Sequence, residues 1–280
     1  MGPWLAGGCA VLAGCGARSA LYAPDLGGGG GSGGSPSTGT PVYCDHAGPT
    51  SVFVVTDASQ LYSFDPPSGT FTFVSTLACP SSSSPETMAV DHAGTAYVTY
   101  ADGTMFAVDL ASQSCAPTAF SDGPNDDRFG SCFASNAGGK DETFFLMDSE
   151  APGLFTVDTT TFAVTEVGSV SSCVGNSELT GTGDGRLFAF GSASGSCQGF
   201  LAQLDPTTAA VLDQMPVPLP MNTGFAFAFW GGDFYFFTGD DSGDSTVARL
   251  VPGGALDPSY ATLSGAVIVG AGVSTCAPVH

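Results

Sequence analysis

Positive charge is what this chain has least of. Its 280 residues carry five Lys and Arg against 26 Asp and Glu, a net charge of −21, and Lys140 is the single lysine. So few bases cannot form a basic patch, which disfavours nucleic acid and anionic membrane surfaces as partners. Histidine is scarce as well: His46, His92 and His280 lack metal-ligand spacing, and neither an HExxH motif nor paired zinc cysteines occur. No cofactor is expected. No apolar stretch keeps a 3.6-residue period or is long enough to span a bilayer, which leaves out helical bundles and transmembrane helices.

Turn formers and strand formers are abundant instead. Forty glycines, 19 prolines and many Thr, Val and Phe describe an all-β secreted chain. One short phrase recurs: Leu61-Tyr-Ser-Phe-Asp65, Met105-Phe-Ala-Val-Asp109, Leu154-Phe-Thr-Val-Asp158 and Leu201-Ala-Gln-Leu-Asp205. A fifth copy, Val247-Ala-Arg-Leu250, has lost the acid. The copies lie about 44–49 residues apart, the period of a radial array of four-stranded units, a β-propeller. Alternating apolar residues make the strand, and the aspartate starts a tight turn by accepting backbone N–H groups. Repetition around a ring marks these aspartates as turn formers and not catalysts.

A second phrase keeps step. His92-Ala-Gly94, Asn136-Ala-Gly138, Gly183-Asp-Gly185 and Trp230-Gly-Gly232 each place a Gly turn between two apolar segments. Each unit then reads as an inner strand, a Gly turn, a second strand, the aspartate-terminated strand and an outer strand. Four units are complete between about 86 and 264. Residues 51–78 hold three strands without an inner one, and Ala266–Thr275 is an inner strand with nothing after it. Joined, they complete a blade and leave no open ring edge. The expectation is five four-stranded blades, within a range of four to six, with the first blade completed by the C-terminal strand.

The start of the chain bears on location. Residues 1–14 read as a signal peptide, and Leu12-Ala13-Gly14-Cys15 has the form of a bacterial lipobox, which makes Cys15 the expected lipid attachment site. Cys15 opens a Gly/Ser/Pro-rich tether over 15–43, and 44–280 forms the single propeller domain. A flexible stretch of this kind reaches about 25–30 Å. The expected setting is the cell envelope, lipid-anchored at the outer membrane. Nine cysteines fit an oxidising compartment. With Cys9 removed and Cys15 lipidated, seven remain, so at least one is free or pairs with another chain. Two bridges are expected, Cys44 with Cys276 and Cys173 with Cys197, while Cys115 sits where other blades carry Phe71, Val164 and Val211 and reads as a small buried hydrophobe.

Three further segments carry a resemblance. Glu178-Leu-Thr-Gly-Thr-Gly-Asp-Gly-Arg-Leu-Phe188, Phe225-Ala-Phe-Ala-Phe-Trp-Gly-Gly-Asp-Phe-Tyr235 and Gly270-Ala-Gly-Val-Ser-Thr-Cys-Ala-Pro278 resemble segments of uncharacterised lipoproteins of myxobacteria, known from sequence. The resemblance covers most of residues 44–278. It implies a surface-anchored propeller and carries no catalytic residue across.

The search for chemistry is mostly negative. Gly30–Gly34 matches Gly-x-Ser-x-Gly, but it lies in the tether without the strand and helix that a nucleophile elbow needs. Asp240, Asp241 and Asp244 share one turn and are weak candidates for Ca²⁺ ligation, lacking a distal bidentate Glu. The Gly turns converge around the channel, so His92, Asn136, Asp184, Arg186, Trp230 and Asp233 form the candidate ligand face. The expected function is a non-catalytic surface lipoprotein, a monomer, binding a glycan, peptide or neighbouring protein. The alternative is a hydrolase or lyase, glycosidase-like or lactonase-like, for which Glu178 and Asp91 are the first acids to test.

Overall fold

In a computed structural model of the chain, the described residues are 44, 50–121, 123, 128–136, 140–149, 153–170, 176–192, 198–221 and 223–280. Cys15, Cys173 and Cys197 lie outside them. The described residues form twenty strands in five four-stranded antiparallel sheets, a five-bladed β-propeller. Blade 1 joins β1 (Val52–Thr56), β2 (Gln60–Asp65) and β3 (Thr70–Thr76) to the last strand, β20 (Ile268–Val273). Blade 2 holds β4 (Pro85–Val90), β5 (Thr95–Tyr100), β6 (Met105–Asp109) and β7 (Cys115–Pro117). Blade 3 holds β8 (Phe129–Ser135), β9 (Glu142–Asp148), β10 (Gly153–Val157) and β11 (Val164–Ser169). Blade 4 holds β12 (Ser177–Gly181), β13 (Leu187–Ser192), β14 (Gln198–Leu204) and β15 (Val211–Pro220). Blade 5 holds β16 (Phe225–Trp230), β17 (Asp233–Gly239), β18 (Ser245–Leu250) and β19 (Leu256–Leu263).

Period-two alternation gives each sheet two apolar faces, and five clusters fill the spaces between neighbouring blades. Phe133 stacks on Phe144 at 4.6 Å where blades 2 and 3 meet, and Phe188, Phe227, Phe234 and Phe236 fill the space between blades 4 and 5. Ring closure follows the expected route. β20 pairs antiparallel with β1, Val52 opposite Val273 and Val54 opposite Ala271.

The repeated aspartates build one turn four times. Asp109 Oδ1 accepts from the Ala111 and Ser112 amides, Asp158 Oδ1 from Thr160 and Thr161, Asp205 Oδ1 from Thr207 and Thr208, and Asp65 Oδ2 from Ser68. The residue four places on returns its amide to the aspartate carbonyl and is left-handed each time: Gly69, Gln113, Phe162 and Ala209, with φ of 66°, 57°, 58° and 61°. Holding three non-glycine residues there costs strain that the aspartate turn offsets. Blade 5 shows the consequence of losing the acid: its turn is tighter, with Gly254 N–H bonded to Val251 O and Gly253 supplying the positive φ.

Hydrogen bonds from Ser112, from Thr161 and Thr160, and from Thr207 hold the carboxyls of Asp109, Asp158 and Asp205 below their ordinary range. A depressed folded pKa contributes stability that is present above the unfolded value, about 3.9, and lost as pH falls through the folded one. Replacing all three by Asn should therefore lower the denaturation midpoint at neutral pH. The gap to the unsubstituted chain should close in acid, as followed by urea unfolding across pH.

Cys44 and Cys276 are bonded, with Cα atoms 5.6 Å apart. Cys115 departs from expectation. It is bonded to Cys79, which ties the segment leaving β3 to the outer strand of blade 2. Alignment of the blades could not reveal this, because Cys79 lies in a connection that the repeat does not cover. Cys132 is the free cysteine among the described residues, and it is buried.

Candidate functional site

The five inner strands run in the same direction, so the channel has one mouth at their starts and another at their ends. The Gly turns at Gly94, Gly185 and Gly232 stand at the ends, and Gly138 lies outside the described residues. There the six residues of the expected ligand face are placed as separate pairs. Arg186 donates from Nε to Asp184 Oδ1 at 2.9 Å, pairs with Asp184 Oδ2 through Nη2 at 2.9 Å as an ion pair, and lies over the rings of Phe188 and Phe229. Burial pushes Asp184 up, but its bonds from Arg186 and Thr182 outweigh that and leave it below the ordinary range. Arg249 holds Asp233 through two hydrogen bonds within blade 5. Trp230 donates its indole N–H to Thr50 O, and Asn136 accepts from the Thr143 hydroxyl. His92 meets Glu142 at 2.6 Å.

The C-terminal segment occupies the middle of this face. Ser274, Thr275, Cys276 and Ala277 are buried, Thr275 donates to Glu142 Oε2 at 2.7 Å, Pro278 O accepts from Gly231 N–H, and Val279 packs against the cluster between blades 4 and 5. The segment thus runs from blade 1 to contacts on blades 3 and 5 and to the cluster between blades 4 and 5. Glu142, which sequence reading did not single out, is the buried clasp of this cap. Burial raises its pKa, partly opposed by the bonds from His92 and Thr275. Asp91, one of the two acids singled out for an enzyme, serves as a turn former that accepts from Thr95 N–H. Of the calcium candidates, Asp240 accepts from the Ser242 and Asp244 amides and Asp244 from Gly265, so both spend a carboxylate oxygen on their own turns. Among the described residues no group of three or more His, Cys, Asp and Glu is placed to hold a metal ion.

Among the described residues, no segment lies across the other mouth. It leads into a recess of about 410 Å³ lined among others by Glu86, Arg128, Asn176, Glu178, Met221 and Phe225. Counting back equally from Gly94, Gly138, Gly185 and Gly232 puts Thr87, Ser131, Glu178 and Phe225 at one position of four inner strands. The first three form a layer across the channel, while Phe225 packs against the cluster between blades 4 and 5 and lines the recess. Thr87 Oγ1 donates to Glu178 Oε2 at 2.9 Å and lies 3.1 Å from Ser131 Oγ, so one acid bridges blades 2, 3 and 4. Glycines make this convergence possible: a methyl group on Gly130 would stand 2.3 Å from Ser177 O and 2.6 Å from Glu178 Cα.

Glu178 is buried, and its pKa is pushed well above the ordinary carboxylate range by burial, with the Thr87 bond opposing and the neighbouring Glu86 carboxylate adding to the rise. Arg128 lies 3.7 Å from Glu86 at the rim, and Ser149 donates to Asn176 Oδ1 at 2.9 Å. A group whose folded pKa is raised contributes stability that is complete below its unfolded value and lost as pH rises through the folded one. The unsubstituted protein should therefore lose stability above the ordinary Glu range relative to Glu178→Gln, whose denaturation midpoint should vary less with pH. A wild-type and variant difference that stays constant with pH would show that Glu178 is not held neutral.

No protein-family model matches the chain, and no curated protein matches it in sequence. Among solved structures it is similar to the hydrazine synthase of Kuenenia stuttgartiensis, at 17% identity over 76% of this chain and 66% of that one, with a TM-score of 0.41. It is also similar to the Dos1 propeller, at 9% identity over 70% of this chain and 51% of that one, with a TM-score of 0.39. The chain thus spans 66% and 51% of the length of these two structures.

Proposed function

We propose that this chain is a lipid-anchored envelope protein, related to the myxobacterial lipoproteins it resembles, whose monomeric propeller is a non-catalytic binding module. One observation carries the binding half: residues 274–279 lie across one mouth of the channel, whereas among the described residues the other leads into a recess of ligand size with apolar and polar walls. Cys15 within Leu12-Ala13-Gly14-Cys15 and the Gly-rich tether behind it support the anchor. Gly16 follows the cysteine, and the absence of Asp there favours the outer membrane.

Two experiments test the two halves. Cys15→Ser should release the protein from the membrane fraction, and unchanged membrane association would sink the anchor. A thermal-shift screen of glycan and peptide fragments of the envelope should find a stabiliser whose effect shrinks in Arg128→Ala. A stabiliser acting equally on both proteins would place binding elsewhere.

The enzymatic alternative has one observation in its favour, Glu86 and Glu178 sharing the recess. In a glycoside hydrolase of that plan, Glu178 would give its proton to the leaving oxygen while Glu86 takes one from the attacking water. Release of reducing ends that disappears in Glu178→Gln would favour this reading over a binding module.

A further inference from the structure

We infer that the open mouth recognises an uncharged saccharide unit, with Phe225 packing against the C–H face of a sugar ring and Glu178, Asn176 and Arg128 meeting its hydroxyls. This rests on the reading of that mouth as the binding site.

The argument begins with what each lining group can exchange. A sugar presents hydroxyls that both donate and accept, set around a ring with an apolar face. A carboxylic acid, an amide, and serine and threonine hydroxyls also do both, whereas an ionised carboxylate only accepts. The lining of the recess is mostly of the first kind: Asn176 has its carbonyl oxygen engaged by Ser149 and brings an amide with two donors, and Ser84, Ser192 and Thr223 add hydroxyls. Phe225 lines the recess with Glu178 and is fixed edge-on to Phe190, with ring centroids 5.8 Å apart and planes at 88°. An aromatic surface beside mixed donors and acceptors matches a sugar better than an ion.

Charge points the same way. The groups facing Glu178 are Glu86 on β4 and Cys132 on β8, and the recess beyond adds Asp57 and Arg128. Glu86 is neighboured by Arg128. With Glu178 holding its proton, the mouth carries two acids and one base, whereas the whole chain is at −21. An anion would be repelled by the chain as a whole. A cation would be drawn to the ionised form of Glu178, and a neutral ligand, which removes water without supplying charge, to the protonated form.

That difference gives a sign to measure. By linkage, a neutral ligand favours protonated Glu178 and takes up protons at any pH where part of the free protein has that acid ionised, whereas a cation releases them where it is protonated. Calorimetry would use the full chain with maltotriose, cellotriose and tri-N-acetylchitotriose as neutral probes and spermidine as the cationic one, each in two buffers of different ionisation heat. The expected result is that at least one neutral trisaccharide binds, that its binding weakens as pH rises through the titration of Glu178, and that proton uptake appears in that pH range and not below it. Phe225→Leu should weaken it by about tenfold, the loss of a ring contact, and Glu178→Gln should retain binding but lose the uptake. Binding by spermidine alone, with proton release, would overturn the saccharide while leaving the mouth as the site. No binding by any probe, or binding that neither substitution alters, would overturn both.

Discussion

Deleting Ala266–His280 is expected to leave no folded propeller. The segment contains β20, the inner strand of blade 1, and its loss strips β1 of one of its two partners along Val52–Thr56. Ile268, Ala271 and Val273 also leave the cluster that joins blade 1 to blade 5, exposing Val52, Val54 and Phe64. Each buried aliphatic side chain is worth about 1.5–3 kcal/mol, and a domain holds only about 5–15 kcal/mol in total. Among the described residues, the pairing of β20 with β1 is what closes the ring. The truncated chain should therefore aggregate or be proteolysed along its whole body. Cys44→Ser is the milder comparison, because it keeps the strand and removes only the cross-link over 232 residues, at a cost of about 2–4 kcal/mol. A truncated chain that stayed monomeric and protease-resistant would show that the blades do not depend on this strand.

The sequence disclosed whatever repeats. Asp65, Asp109, Asp158 and Asp205 were legible as turn formers because each blade solves the same local problem, and that solution needs an acid at one place. Blade number and the joined first blade follow from counting those turns. Contacts made once were not legible in this way. The Cys79–Cys115 bond joins a connection to an outer strand, and nothing in the spacing of the blades brings the two together. The described Gly turns do share one face, but Thr275 and Pro278 of the last segment lie across it, and a segment outside the repeat gives no periodic sign of where it goes. Glu178 stood out as an acid on an inner strand. Its partners Thr87 and Ser131 could have been found by aligning the inner strands on their turn glycines, since they hold the same place in blades 2 and 3.

The inner ring itself should be the part of the molecule least able to accept added volume, and Gly181→Ala is the substitution that tests it. Gly181 ends β12 against β8 of the preceding blade, and a methyl group there would stand 2.2 Å from Phe133 O and 2.6 Å from Ala134 Cβ. Two of its three nearest neighbours are backbone atoms. β8 is held along its length by β9, with Phe133 opposite Phe144 and Ala134 opposite Thr143, so it cannot yield without breaking that ladder. Overpacking of this kind costs about 1–3 kcal/mol where side chains can adjust, and more where they cannot. Gly265→Ala supplies the contrast. Nothing lies within 4 Å of a methyl group there, and the cost is only that of a side chain at φ +73°, about 1–2 kcal/mol. Urea denaturation should place Gly181→Ala well below Gly265→Ala in midpoint, with fluorescence and circular dichroism transitions still coincident if the ring unfolds as one unit. The reverse order would mean that the inner strands stand further apart than their glycines imply, and the channel layer of Thr87, Ser131 and Glu178 would then lose its basis.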